Sequence, residues 1–369
     1  MRTNIVPPAS QRNYSDFVII WVFMIVATGL AVLYSASSYI GYRDFSDPTF
    51  YIRKQLLMIL LGVIVLFISM RIPLKSLEDF APLLYLSSLL LLIAVFIPGL
   101  GKKAGGAARW INLGFFSLQP SDLARVSLLI MLARMNASEQ DYGFKKIGLT
   151  VLIISLPVVL IGIEPDLGTA LHILLSAAAL LFVTKFPVRF FFMAAFFSIP
   201  ILYIGVINVA FRLERIKAFL DPWTYRFEGA YQLVASLKAF LYGGLVGNGI
   251  GSGLKRFNLQ ARHTDFILAT LAEDAGLLGI ILCLLAYFGL TIFCLVLLKS
   301  VRNDFARTLG MGLILSFFFQ FSLNAAVTMG MIPTTGINMP LFSYGGTRMI
   351  THLLSFGLVI SALKEPNKL

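Results

Sequence analysis

The sequence predicts an all-α polytopic membrane protein of about ten transmembrane helices, with N- and C-termini cytoplasmic and one large extracytoplasmic loop. Three observations carry this expectation. Hydrophobic residues make up 58% of the 369 residues and charged residues only 13%, where a soluble domain carries about 25% charged residues. Mean hydropathy is +0.85. Apolar blocks of roughly 17 to 25 residues recur along the chain, the length a helix needs to cross a bilayer. Such blocks are too long and too continuous for barrel strands, which alternate over about ten residues. The whole chain, 1–369, therefore reads as a single integral-membrane domain.

The N-terminal segment to Asp16 is polar, and the first apolar run extends from Phe17 to about Ala36. No small-residue cleavage site follows a short apolar core, so this run reads as an anchor rather than a removable signal peptide. Later spans are expected near 55–70, 81–97, 121–135, 147–163, 167–184, 189–210, 266–298, 308–330 and 347–363. With the N-terminus inside, the inner segments hold fourteen Lys and Arg and the short outer loops six, which supports both termini inside. The long loop, about 211–265 between spans seven and eight, adds eight more outside. That basic outer surface suits an anionic ligand or anionic lipid headgroups equally well.

The long loop is not a linker. Tyr231 to Phe240 has the spacing of an amphipathic helix lying in the membrane interface. Gly243 to Gly253 follows, with glycines at 247, 249, 251 and 253 but no dinucleotide fingerprint and no preceding strand, so it reads as a bend. Cys283 and Cys294 share one block about 16 Å apart, too far for a disulfide, and read as packing residues. His172, His263 and His352 are isolated, and no cluster has zinc spacing. His172, inside an apolar block, reads as a packed histidine.

Several polar residues sit where membrane segments should not hold them. Asp265, in Arg262-His263-Thr264-Asp265-Phe266-Ile267, places a carboxylate where a polar loop meets a long apolar helix. An ionisable group at that depth marks a functional site by default. The alternative is an N-cap on the eighth helix, with Thr264 competing for the role. Glu273 lies eight residues further along the same helix face, about 12 Å deeper, with Asp274 beside it. Glu164-Pro165-Asp166 reads as a tight outer turn whose Asp166 can cap the next helix, which leaves Glu164 unexplained. Gln119-Pro120-Ser121-Asp122 opens the fourth span, and Asp122 and Arg125 are spaced to pair on one face. Ser343-Tyr344-Gly345-Gly346 joins the last two spans beside a turn from Pro333 to Pro340.

Arg109-Trp110-Ile111, Gln119-Pro120-Ser121, Pro165-Asp166-Leu167-Gly168-Thr169, His263-Thr264-Asp265-Phe266-Ile267 and Ser343-Tyr344-Gly345-Gly346 occur here in the order they take in the SEDS family, which contains FtsW, RodA and SpoVE. The resemblance covers nearly the whole chain. Within the family, Tyr231-Gln232-Leu233 and the spaced Gly247–Gly251 are closer to the FtsW type. The resemblance implies a peptidoglycan glycosyltransferase that polymerises lipid II at the outer face of the bacterial cytoplasmic membrane, for division or for cell shape. It implies a class B penicillin-binding protein as partner and no role with nucleic acid. Asp265 stands at the position of the family's essential aspartate, and Trp110 at a position regarded as functional.

The chemistry suits these residues. A sugar hydroxyl is a poor nucleophile, so a positioned carboxylate that takes its proton assists attack on the anomeric carbon. Charge builds on a departing pyrophosphate, whose geometry arginine matches with two donors. Arg53, Lys54, Arg109 and Arg125 are expected on that group. Trp110, Gln119, Ser121, Asp122, Glu164, Asp166, His263, Thr264, Glu273 and Ser343 complete the expected substrate-binding set. No cofactor or metal site is evident, though a divalent cation on the pyrophosphate is chemically reasonable. Asp122 and Arg125 stand where the family usually has Glu and Lys, Glu273-Asp274 where it has two Glu, and Leu259-Gln260-Ala261 where it has Leu-Pro-Glu. A lipid II flippase and a scaffold without chemistry remain the competing readings.

Overall fold

A computed structural model describes all residues except 1–7, 105–106, 113, 115–116, 137–142, 195, 197–209, 254–258, 260 and 366–369. Its labelled helices are α1 (Pro8–Phe45), α2 (Phe50–Ser69), α3 (Leu74–Asp79), α4 (Ala81–Ala94), α5 (Pro120–Asn136), α6 (Phe144–Ile163), α7 (Leu167–Val183), α8 (Ala210–Leu220), α9 (Tyr231–Gly243), α10 (Ile267–Lys299), α11 (Asp304–Thr328) and α12 (Gly346–Leu363). Among the described residues six stretches are long and apolar enough to cross a membrane: Tyr14–Phe45 of α1, then α2, α6, α10, α11 and α12. The shorter α4 and α7 are also apolar. The expected fourth span is α5, opened by Pro120 at its first position. The expected seventh span, 189–210, lies mostly outside the described residues.

α11 and α12 form the centre of the bundle. Their apolar stretches are 72% and 78% buried, against 28% to 39% for the other four long spans. α12 packs along α2 and α11, and α11 also packs on α7, α10 and α5. Tyr287 of α10 stacks on Phe321 at 4.1 Å, and its buried hydroxyl donates to the Pro340 carbonyl at 2.5 Å. That single side chain ties the core to the loop before α12, with its polar end satisfied as burial requires. Outer helices keep rows such as Leu60 and Ile64, or Leu278, Leu282 and Leu285, exposed for lipid. Cys283 and Cys294 are both buried on α10.

Two features differ from the expectation. α1 continues nine residues past Ala36 to Phe45. The continuous apolar run stops near Ala36, whereas the helix goes on through the exposed Tyr39, Tyr42 and Arg43. The chain reverses only at Ser46–Thr49, where the Asp47 carboxylate accepts the Thr49 N–H at 2.9 Å. The fold is also not wholly α-helical. Gly101–Ala104 (β1), Ala107–Asn112 (β2) and Ser117–Leu118 (β3) form a small antiparallel sheet in the order β1-β2-β3. It lies in the polar segment between α4 and α5, where an open edge costs little.

The long loop contains α8 and α9. α9 matches the predicted amphipathic helix and buries Leu233, Val234, Ala235 and Ala239, with one face packed on α10 and α11.

Candidate active site

The site is built around the turn Ala261–Phe266 that leads into α10. Both Thr264 N–H and Phe266 N–H donate to the Ala261 carbonyl at 3.1 Å. The N-cap position of α10 is Phe266, with no side-chain cap. Neither Asp265 nor Thr264 therefore caps the helix, and the structural alternative for Asp265 fails.

Three consecutive carbonyls of this turn are held from outside. The Tyr344 N–H donates to His263 O at 2.9 Å. Ser343 Oγ donates to Thr264 O at 2.5 Å and accepts from Met339 N–H at 3.0 Å. Asn324 Nδ2 donates to Asp265 O and to Ile337 O, both at 2.7 Å. The main chain is fixed by α11 and by the loop before α12, while the Asp265 side chain makes none of these contacts among the described residues. Gly336 lies opposite its Oδ2 and leaves room there. Asp265 stays partly exposed at a wall otherwise made of protein. Burial raises its pKa above the usual carboxylate value; Arg348 opposes this, Asp166 adds to it, and Arg109 and Arg215 oppose it.

Those three arginines come from three separate segments. Arg109 of β2 donates through NH2 to the Pro165 carbonyl at 2.8 Å and stands 3.7 Å from Asp166. Asp166 caps α7, accepting Thr169 N–H at 3.1 Å and its hydroxyl at 2.9 Å, as the turn sequence predicts. Arg215 of α8 donates to the Thr334 carbonyl at 3.1 Å. Arg348, in the first turn of α12, donates Nε to Gln119 Oε1 at 3.0 Å and bonds Asn338 Oδ1. It also pairs with Asp122 at 3.6 Å and lies 5.8 Å from the centre of the Trp110 ring.

The structure rearranges some expected partners. Asp122 pairs with Arg348 rather than with Arg125. Arg125 is buried and donates to Ser316 Oγ at 3.0 Å, in a cluster with His172 and Ser176. His172 is the packed histidine expected, with Nε2 2.9 Å from the Ser316 carbonyl. Ser121 is buried without a partner for its hydroxyl among the described residues. Arg53 is exposed and engaged by Asp47, and Lys54 lies over the Phe50 ring at 4.2 Å, so neither is among the charges acting on Asp265. Glu273 packs against Gly253 of the glycine-rich segment, also away from those charges. Ser343 serves as a brace, its hydroxyl used in both directions. The His263 ring stands 4.9 Å from Tyr51, and burial lowers its pKa to about 4, so it is neutral near pH 7.

Glu164 is buried beside Asp166, and its Oε1 has no hydrogen-bond partner among the described residues. Burial, then Asp166, raises its pKa from 4.5 to about 8, against Arg109. The folded protein therefore holds this proton where the unfolded chain has released it, and stability falls as pH rises from 4.5 to about 8. Glu164→Gln is expected to flatten that window and to stabilise the protein at pH 8 by up to about 3 kcal/mol. Thermal unfolding in detergent across this range checks it; a wild-type slope retained in the variant refutes it.

Arg348, Asn324 and Asn338 escaped the sequence reading, and Arg215 entered it only as one of the eight basic residues of the long loop. Arg348 had a visible signal, an arginine directly after Ser343-Tyr344-Gly345-Gly346-Thr347 at the head of an apolar helix. The amides had none, because their value lies in the carbonyls they meet. Among the described residues no group of three or more His, Cys, Asp or Glu is placed to hold a metal ion.

The Cell cycle protein family FtsW/RodA/SpoVE matches residues 15–368. The chain belongs to this family. Among FtsW/RodA/SpoVE relatives, the probable peptidoglycan glycosyltransferase FtsW of Geobacter sulfurreducens is 34% identical over 354 residues, covering 95% of each chain. That of Coxiella burnetii is 34% identical over 364 residues, covering 96% of this chain and 97% of its own. Of solved structures, the rod shape determining protein RodA of Thermus thermophilus superposes with a TM-score of 0.72 at 26% identity, over 95% of this chain and 97% of its own. A chain from a peptidoglycan synthase complex that coordinates polymerization and crosslinking gives a TM-score of 0.80 at 27% identity, over 95% and 98%. This member of the SEDS family is thus a multi-pass membrane protein, and the relatives' names agree with the FtsW-type sequence features.

Proposed function

We propose that this protein is a peptidoglycan glycosyltransferase that polymerises lipid II at the outer face of the cytoplasmic membrane, with Asp265 as general base. One observation carries the proposal. The Asp265 main chain is clamped from α11 and the loop before α12, yet its carboxylate takes no part in that clamp and lies under the electrostatic influence of Arg109, Arg215 and Arg348. A base with a raised pKa accepts a sugar hydroxyl proton more readily than an ordinary aspartate. As the 4-hydroxyl oxygen bonds to the anomeric carbon, the bond to the pyrophosphate breaks and its electrons leave on the phosphate oxygens. Three guanidinium groups whose charges all act on one carboxylate suit a dianionic leaving group better than a neutral solute.

The relationship to a chain of a synthase complex supports a class B penicillin-binding protein as partner. Both termini then lie in the cytoplasm and the arginine-lined wall faces outward.

Purified protein in liposomes, given lipid II with and without a cognate class B penicillin-binding protein, tests this. Glycan strands from the wild type are expected. Absence of strands with both proteins folded and partnered would turn the reading to a flippase or a scaffold.

A further inference from the structure

α10 is not one continuous helix. Gly276 adopts φ 62° and ψ −161°, which breaks it into a short upper part, Ile267 to Ala275, and a longer membrane-crossing part. Only glycine takes this conformation without strain. The break cancels two ladder bonds of an α-helix, from Leu277 N–H to Glu273 O and from Leu278 N–H to Asp274 O. In an apolar setting, each group left without a partner would keep its full desolvation cost.

None of the four is orphaned. Glu273 O accepts the Asn248 N–H at 3.0 Å, and Asp274 O accepts the Gly249 N–H at 2.9 Å. Leu277 N–H donates to Gly244 O at 2.9 Å, and Leu278 N–H to Leu245 O at 3.1 Å. The segment Gly244–Gly249 is laid across the break and replaces both lost bonds with four of its own. It fits because Gly247, at φ +84°, has no Cβ; one there would overlap the Asp274 carbonyl. Just before it, a Cβ on Gly243 would overlap the Ala272 carbonyl. Ser35 of α1 pins the assembly, donating to Asp274 Oδ2 and accepting the Gly251 N–H at 3.0 Å.

We infer that the glycine-rich segment is a splint that sets the angle of the upper part of α10 and so positions Asp265 for the proton transfer. The inference rests on the reading of Asp265 as the base. The upper part of α10 is buried along its whole length from Ile267 to Asp274 and carries the His263-Thr264-Asp265 turn at its head, so its direction sets where that turn lies. The membrane-crossing part cannot fix its direction, because the helical ladder is cut between them. The splint can, since it is bonded to both sides of the cut. Gly247 and Gly276 are thus positioning residues, and the bend that a spaced-glycine sequence suggests has a specific object.

The test compares Gly247→Ala with Gly99→Ala, a control whose φ of +91° is equally unfavourable to alanine but whose Cβ would meet nothing within 4 Å. In lipid II polymerisation with the cognate transpeptidase, Gly247→Ala is expected to lower kcat by at least about tenfold, the scale of a small displacement of a reacting group, with KM within about twofold. Gly99→Ala should stay near wild type. Hydrogen exchange read by mass spectrometry should rise together at Asn248, Gly249, Leu277 and Leu278 in Gly247→Ala. If Gly247→Ala does not fold, Ser35→Ala decides, with the same pattern expected at smaller amplitude. Faster exchange with unchanged kcat overturns the inference, as does an equal loss in Gly99→Ala. Asp265→Asn, assayed in parallel, separates the two readings. Full activity there removes the base assignment, whereas an inactive Asp265→Asn beside a fully active Gly247→Ala removes only the splint.

Discussion

Asp265→Asn is expected to lose about a hundred- to ten-thousand-fold of lipid II polymerisation, the usual range for removal of a positioned base, while the protein becomes no less stable. The substitution keeps the shape of the side chain and removes its ability to take a proton. Its carboxylate caps no helix, since Phe266 holds that position, and the contacts that fix this turn run through the carbonyls of His263, Thr264 and Asp265. A group whose pKa is raised by burial opposes folding in its charged form, so stability falls as pH rises through that raised value. Removing the charge therefore leaves the thermal midpoint equal or higher above that pH. Loss of activity with unchanged or greater stability is the signature of a residue kept for chemistry. The rate itself should run the other way with pH. Only the deprotonated form works, so kcat/KM should rise with pH along a limb displaced above the ordinary aspartate range. Strand synthesis by Asp265→Asn at the wild-type rate, or a midpoint that drops sharply, would remove Asp265 from this role.

The parts of this architecture that were legible in the sequence are those governed by local rules. Apolar block length located α2, α6, α10, α11 and α12, because a bilayer imposes one length on every crossing helix. Asp166 was readable as a cap, because its turn and the N–H it accepts sit within three residues of it. A carboxylate at the head of an apolar helix was readable as costly, which singled out Asp265 before any contact was known. What stayed hidden was long-range. Asp122 and Arg125 have the spacing of a pair, yet Asp122 pairs with Arg348 from the other end of the chain. A local rule ranks a neighbour three residues away above one that only the packing of α5 against α12 supplies. Arg53 and Lys54 had the right charge on the right side, but Asp47 and Phe50 take them up locally. Glu273 lies on α10 as expected, but Asp265 sits in the turn before that helix rather than on the same helix face, and the surroundings of Glu273 come from a segment that crosses a break no periodicity reveals.

Arg348 carries the second large effect. Its guanidinium joins α12 to Gln119, Asn338, Asp122 and Trp110, and among the charges acting on Asp265 it is the strongest that favours ionisation. Arg348→Met is expected to lower polymerisation by about a hundredfold or more, the scale for loss of one preorganised group that stabilises developing charge. This variant alone is ambiguous, because it takes the ion-pair partner from the buried Asp122 carboxylate and leaves only the influence of Arg125, a change that costs up to about 3 to 5 kcal/mol. The double variant Asp122→Asn/Arg348→Met removes both charges together. It should recover most of the thermal midpoint and none of the activity. Arg348→Lys keeps the charge but not the two-pronged fork, and should fall between, at roughly a tenth of the wild-type rate. The pH profile adds a reading that no packing defect imitates. With Arg348 gone, burial and Asp166 act on Asp265 with less opposition, so its pKa rises further. The ascending limb of kcat/KM must then move to higher pH in Arg348→Met and in the double variant, but little in Arg348→Lys. A double variant that is stable and active, or a limb that stays in place in all three, would show that Arg348 only holds α12 against α5 and takes no part in the chemistry.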